Sequence, residues 1–142
     1  MNGRLDRLLR IRKACEGIEH GRWDRARMDV AARRAEAEAL AAKRGAIADD
    51  VRARSLGPVQ VDRLKIAADC REALSRDLRN REDAARNAER CAEDRRRDLE
   101  AANRDVRVIE KFSERLAVTE RALARIAEIR ELDDRPQAGE RP

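Results

Sequence analysis

The chain has 142 residues, of which 44% are charged and 1% are aromatic. Aromatic and large aliphatic side chains supply most buried area, so this composition excludes an ordinary globular core. The dominance of Ala, Arg, Glu and Leu is typical of a long helix or coiled coil. Strong helix formers and the scarcity of Pro and Gly in the interior argue against full disorder.

The formal net charge is +5 and the isoelectric point is about 9.7. Positive and negative residues are nevertheless interleaved, as in "RDLRNREDAARNAERCAEDRRRDLE". Interleaved charge indicates a solvated helix surface rather than a stripe that binds phosphates, so no nucleic-acid partner is expected. The run Arg95–Arg97, flanked by Asp94 and Asp98, is predicted to be solvated, with contact to an acidic partner as the sharper alternative.

The first residues, "MNGRLDRLLRIRKACEG", contain no continuous apolar run, so they do not predict a signal peptide. No window reaches the apolar length of a membrane span, and no membrane insertion is expected. Cys15, Cys70 and Cys91 form no CxxC motif. We expect them to be small structural thiols in a reducing cytosol.

In chain order, the helix breakers predict an all-α fold, one antiparallel coiled-coil hairpin over residues 1–132. Helix 1 is expected at about 3–54, a turn at 55–58, helix 2 at about 59–132, and a disordered tail at 133–142. Gly57 is expected to take the left-handed conformation that ends a helix. Pro58 is expected in the first turn of helix 2, where its missing N–H is tolerated.

The seam of helix 1 is predicted from steps of three and four residues. A separate register, one residue out of phase, precedes it and predicts a stutter near Gly17 and Gly21 that locally unwinds the supercoil. The main register passes through Trp23, Ala26, Val30, Arg33, Ala37, Leu40, Arg44, Ile47 and Val51, and the earlier one through Leu8, Ile11, Cys15 and Ile18.

The seam of helix 2 follows the same stepping, and the short turn forces the helices antiparallel. The arginine layers are expected to send their heads out to acidic neighbours. Trp23 is predicted to be a core knob, with a partner hot spot as the minority interpretation. The predicted layers are Val51–Leu64, Ile47–Ala67, Arg44–Arg71, Leu40–Leu74, Ala37–Leu78, Arg33–Arg81, Val30–Ala85, Trp23–Ala92, Cys15–Leu99, Leu8–Val106 and Leu5–Ile109.

Counting outward from the turn, helix 1 ends opposite about Ser113. The following residues of helix 2 are left without a partner, an overhang of about 30 Å at the standard helical rise. Its apolar stripe comprises Phe112, Leu116, Leu123 and Ile126, with Ile129 and Leu132 beside it. Such an amphipathic helix is suited to a groove or ring in a partner.

No catalytic constellation is present in the sequence. The single His20 stands beside Gly21 without a nucleophile at a defined spacing and is predicted to be a surface residue. There is no phosphate-binding glycine loop, so neither enzymatic activity nor a cofactor is expected.

The run "VIEKFSERLAVTERALARIAEIRELDD" resembles the C-terminal signature of the FliJ family, as does the layout of a shorter helix, a Gly-Pro break and a longer helix. The core of the signature, Glu-Lys-apolar-x-Glu-Arg, matches Glu110–Arg115. Its final residues, Glu-Leu-Asp-Asp, match Glu131–Asp134. YscO-type proteins of virulence secretion systems are close counterparts. The family's gate-binding face often carries aromatic residues, whereas this chain has none between Trp23 and Phe112, so no gate contact is assigned.

The resemblance implies a non-enzymatic stalk of the flagellar type III export apparatus, cytoplasmic and peripheral to the inner membrane. It implies insertion into the export ATPase hexamer (FliI-like), promotion of its assembly, and links to an export gate protein (FlhA-like) and to export chaperones. The free protein is expected to be a monomer. Placed on the overhang, the ring contact falls on Phe112, Arg115, Leu116, Arg121, Leu123, Ile126 and Ile129.

Three alternatives stay open at this point. A structural coiled coil could homo-oligomerise through the overhang, or the stalk could serve a virulence system. A nucleic-acid binder is favoured by the isoelectric point and disfavoured by the interleaved acids.

Overall fold

Two long α-helices, packed antiparallel, form the molecule. Helix α1 spans Gly3–Arg54 and helix α2 spans Val61–Asp133. The structure is a computed structural model that describes residues 3–55, 57–58 and 60–136, and these residues include no strand. Val59, the predicted start of helix 2, lies outside the described residues, as do residues 137–142 of the predicted tail.

Helix α1 is ended by hydrogen bonds around Ser55. The Ser55 amide donates to the carbonyl of Val51 at 3.0 Å, and the Ser55 hydroxyl donates to the carbonyl of Arg52 at 2.8 Å. The prediction that Gly57 takes a left-handed conformation is wrong, since no described glycine has a positive φ. Helix α1 has already ended before Gly57, and the following proline favours extended backbone there.

Helix α2 begins from the carbonyl of Gln60. This oxygen accepts hydrogen bonds from the amides of Arg63 and Leu64, at 3.1 and 3.2 Å. Pro58 therefore precedes the helix and does not lie in its first turn, which corrects the prediction. A proline before the cap interrupts the preceding helix equally well, because its ring fixes φ and it donates no hydrogen bond.

Contacts along the hairpin cluster into two units, which are described separately. The central unit is Ile18–Leu99, and the terminal unit comprises the residues up to Gly17 and from Glu100 onward. Leu78, Ala85, Ala88 and Leu99 are buried in the central unit, and Val106 is buried in the terminal unit. No described large side chain is fully enclosed. A two-helix seam is only one layer of side chains thick, so every layer remains near water.

In each unit, the larger half-buried apolar residues of α1 lie at the spacing of the Trp23 register, so the separate early register predicted for the stutter is wrong. Leu8, Ile11, Cys15 and Ile18 are exposed, so they do not form the seam. A continuous 3.5-residue period keeps one stripe facing the partner helix, even where that stripe carries polar residues. The half-buried residues on this register are Leu5, Leu9, Glu16, Glu19, Trp23, Ala26, Val30, Arg33, Ala37, Leu40, Ile47 and Val51.

On α2, every predicted seam residue that is aliphatic is buried or half-buried. The larger ones are Leu64, Leu74, Leu78, Leu99, Val106 and Ile109, and the others are alanines. The three cysteines are all exposed, so the prediction that they act as small packing residues is wrong. Each cysteine is one residue away from a seam position. In a structure of only two helices, that offset of about 100° leaves a short side chain exposed to solvent.

Ion pairs across the helices flank the seam. In the central unit, Arg34 and Glu89 approach to 2.6 Å, and Arg81 donates to Glu36 at 2.7 Å. Glu36 also lies 3.9 Å from Arg33, so the predicted escape of the Arg33 and Arg81 heads to an acidic neighbour is confirmed. In the terminal unit the pairs are Arg12–Asp105 at 3.3 Å and Lys13–Glu110 at 2.9 Å.

Candidate interaction surface at the end of the second helix

The last sixteen residues of α2, 118–133, are exposed without exception and are called the free end here. Ser113, Leu116 and Ala117 are half-buried, so the uncovered part starts about one turn later than the predicted Ser113. The free end measures about 24 Å at the standard helical rise. It is a helix whose side chains have no packing partner within the described part of the chain.

The free end is helical because its local sequence favours a helix. "VTERALARIAEIRELD" contains no Gly or Pro and is rich in Ala, Leu, Arg and Glu. It also extends a long packed helix, so it does not incur the cost of nucleation. The helix closes near Asp134, whose amide donates to the carbonyl of Arg130 at 2.9 Å.

One apolar face runs along this part of α2, defined by Phe112, Leu116, Leu123 and Ile126. Steps of four, seven and three residues place all four on the same side of a helix. Phe112 is 58% exposed, Leu123 61% and Ile126 47%. Leu116 is half-buried, so it belongs partly to the hairpin.

A second apolar face consists of Val118, Ile129 and Leu132, which lie roughly a third of a turn around the helix from the first. All three are more than half exposed. Ile129 was predicted beside the first face, and the helical geometry groups it with Val118. The free end therefore presents apolar side chains in two directions, as does a helix that contacts more than one neighbour.

Four arginines lie on or beside these faces: Arg115, Arg121, Arg125 and Arg130. By helical position, Arg130 continues the first apolar face, Arg125 lies on the second, and Arg121 lies opposite the first. All four are exposed, and none of them pairs with a carboxylate within the described residues. Their charges are thus available to an acidic partner surface.

Clefts lie elsewhere on the described part of the chain. A shallow cleft of about 320 Å³ is lined by Trp23, Arg34, Glu89 and Ala92, and the guanidinium of Arg27 lies 4.7 Å from the Trp23 ring centroid. Nearby, His20 is exposed, with its Nδ1 atom 3.1 Å from Asp24.

A second cleft of about 400 Å³ at the turn is lined by Val51, Pro58 and Leu64 among others. On the surface of α2, a hydrogen bond from Arg86 to Asp83, and the charge of that carboxylate, raise the pKa of Arg86. Arginine is already charged at physiological pH, so this shift does not change its protonation state there. Among the described residues there is no group of three metal-ligating side chains and no helix that could cross a membrane.

Sequence reasoning missed two features of the surface. The second apolar face went unrecognised because only the first stripe was followed along α2. The exposure of Leu8, Ile11 and Ile18 was missed because an apolar match was preferred to a continuous register. Extending the register of Trp23 backward in steps of four and three through Glu19 and Glu16 is the signal that could have found it.

Neither a protein-family model, nor a curated protein, nor a solved structure matches the chain significantly. A functional argument therefore starts from the hairpin, from the exposed free end and from the sequence signature that the free end carries.

Proposed function

We propose that the chain is a non-enzymatic stalk and adaptor of a bacterial type III protein export apparatus, of the FliJ kind. Its free end would enter the hexameric ring of the export ATPase and promote ring assembly. The observation that carries the proposal is the uncovered helix of residues 118–133 with its exposed apolar side chains. The run from Val108 to Asp134, which resembles the family signature, covers this same segment.

The two apolar faces favour a site that surrounds the helix. A flat groove would cover one face only, whereas the inner wall of a ring contacts a central helix from several sides. Fully burying one Leu or Ile side chain contributes about 1.5–3 kcal/mol, so Leu123, Ile126 and Ile129 together supply substantial binding energy. Arg121, Arg125 and Arg130 favour carboxylates on the wall.

The resemblance extends the proposal to further partners. These are an export gate protein (FlhA-like) and export chaperones, at the cytoplasmic face of the inner membrane. No residue is assigned to the gate contact, since Leu40, Ile47 and Leu74 are half-buried between the helices. We prefer a flagellar export system, and a virulence secretion system is the alternative. The two are distinguished by testing whether the protein stimulates the flagellar export ATPase or the ATPase of a virulence system.

The decisive experiment measures ATP hydrolysis by the purified export ATPase with and without this protein. We expect Leu123→Asp combined with Ile126→Asp to abolish stimulation, because two charges would face an apolar wall. Leu116 is left unchanged, since it is half-buried and its replacement would also disturb the hairpin. Circular dichroism should show unchanged helicity.

Two controls accompany this variant. Ala101→Asp introduces a charge at an exposed position of α2 outside the free end. Ile66→Asp alters a residue whose exposure, 63%, matches that of Leu123 at 61%. Both should preserve stimulation. Full stimulation by the double variant would overturn the proposal.

Self-association through the free end is the competing function, since exposed apolar faces also suit a second copy. Light scattering is expected to show a monomer. A stable dimer that the double variant dissolves, together with absent ATPase stimulation, would favour a structural coiled coil instead.

A further inference from the structure

We infer that the outer face of α1 near its start docks on an anionic lipid membrane, which the helix touches without crossing. This surface, called the basic face here, comprises Arg4, Arg7, Leu8, Ile11, Ala14 and Cys15. The inference stands independently of the proposed function, because it concerns a different surface and a different partner.

The basic face follows from the register of α1. At about 100° per residue, its six residues fall within an arc of about 120°. Leu5 and Leu9 point to the opposite side and are half-buried in the seam. The arc therefore faces away from α2.

The apolar residues of the basic face lie outside the seam of the hairpin. Leu8 is 41% exposed and Ile11 is 53% exposed, while the seam passes through Glu16 and Glu19 instead. Neighbouring exposed aliphatic side chains form a small apolar patch, and a patch of this kind marks a site that another surface can cover.

The charge of this segment is strongly one-sided. Between Gly3 and Gly17, α1 has five basic residues and two acidic ones. Asp6 and Glu16, the two acids, are half-buried, so every exposed charged residue of the segment is basic.

Carboxylates of α2 neutralise only part of this charge. They pair with Arg12 and Lys13, through Asp105 and Glu110. Arg4, Arg7 and Arg10 form no ion pair within the described residues. An anionic partner therefore complements the segment.

A lipid surface matches both properties of the basic face. Helices that lie in a membrane interface combine basic residues, which attract anionic headgroups, with aliphatic residues that enter the acyl boundary. Nucleic acid would pair with Arg4 and Arg7 but leave Leu8 and Ile11 in water. Two aliphatic side chains form a small patch, so binding should be weak, reversible and sensitive to ionic strength.

The test is cosedimentation of the full-length protein with vesicles of phosphatidylcholine, with and without phosphatidylglycerol. We expect binding only when phosphatidylglycerol is present. Arg4→Glu with Arg7→Glu should weaken it at least about 25-fold, since each basic residue near an anionic surface contributes about fivefold. Leu8→Ser with Ile11→Ser should weaken it roughly tenfold. Arg76→Glu with Arg79→Glu, on exposed positions of α2, changes the net charge equally and should weaken binding less than fivefold.

A positional readout distinguishes docking from general attraction. With Cys70→Ser and Cys91→Ser, an environment-sensitive dye on Cys15 should shift to shorter wavelength when phosphatidylglycerol vesicles are added. The same dye on Cys70, in a protein with Cys15→Ser and Cys91→Ser, should not shift.

Equal binding to phosphatidylcholine alone, or undiminished binding after Arg4→Glu with Arg7→Glu, would overturn the inference. Tight retention on heparin at physiological salt without any vesicle binding would also overturn it and assign the face to a soluble polyanion. The vesicles contain no ATPase, and the ATPase assay contains no lipid, so each proposal can fail without the other.

Discussion

Two parts of α2 have apolar residues at the same spacing, but these residues are buried in one part and mostly exposed in the other. Leu78, Ala85 and Ala88 are separated by seven and three residues, as are Leu116, Leu123 and Ile126. Each of the first three is 7% exposed, whereas Leu123 and Ile126 are 61% and 47% exposed. An apolar stripe thus predicts a side on which a helix can pack, but burial depends on whether another helix lies opposite.

Helix α1 provides a second contrast, between neighbouring residues. Glu19 has a side chain only 20% exposed, while Ile18 is 55% exposed. A carboxylate is in the seam and an isoleucine is outside it. Helical geometry determines this arrangement, because steps of four and seven residues place Glu19, and not Ile18, on the side of α1 that carries Trp23 and Val30.

The largest expected effect tests the first contrast. Leu78→Ala should lower the free energy of unfolding by about 2–3 kcal/mol, because it leaves a cavity between the helices. Leu123→Ala should change it by less than about 0.5 kcal/mol, since that side chain is already in water. Urea denaturation followed by circular dichroism measures both. Equal losses of unfolding free energy in the two variants would mean that Leu123 is packed against another surface in solution.

A smaller effect tests the register of α1. Glu19→Leu should raise the free energy of unfolding by about 1 kcal/mol, because it replaces a carboxylate whose Oε2 atom is buried without a hydrogen-bond partner. Ile18→Ser should leave the stability almost unchanged. Thermal denaturation of both variants measures these effects. A large loss of stability from Ile18→Ser would mean that Ile18 lies in the seam, as the predicted stutter requires.

The smallest effect concerns the ion pairs that flank the seam. A double-mutant cycle with Glu36→Gln and Arg81→Gln should give a coupling energy of about 0.5 kcal/mol, which high salt removes. Both side chains are nearly half exposed, so water screens the pair. The more exposed pair Asp49–Arg52 is the control and should show no measurable coupling. A coupling as large as the Leu78→Ala effect would contradict the view that apolar contacts dominate the seam.

Much of the fold could be predicted from the sequence. Gly57 and Pro58 marked the break, and the Leu64 to Ile109 stepping marked the face of α2 that packs. The seam positions in the first turns of α1 could not be predicted from apolar residues alone, because Leu8, Ile11 and Ile18 form an apolar stripe at helical spacing that lies outside the seam. The backbone conformation of Gly57 could not be predicted either. Helix α1 ends at Arg54, before Gly57, so this glycine is not needed to end the helix.

For the candidate surface, the sequence indicated an uncovered apolar segment but placed its start near Ser113. The half-burial of Leu116 and Ala117 moves that start to Val118. Counting residues from the turn locates such a boundary only to within about one helical turn, since side chains on long helices lean along the axis.

The sequence by itself determined that this protein is two long helices with a break near Gly57, because helix propensity and breakers act locally. It also determined that the longer helix extends beyond the shorter one. Only the packing of α1 on α2 decided which apolar residues are covered. Leu78 and Val106 are buried by this packing, and Glu16 and Glu19 lie half-buried in the seam. Leu8, Ile11 and the free end remain exposed to water. The physical reason is that two packed helices cover only one side of each other, so a side chain is buried only where helical geometry places it on that side.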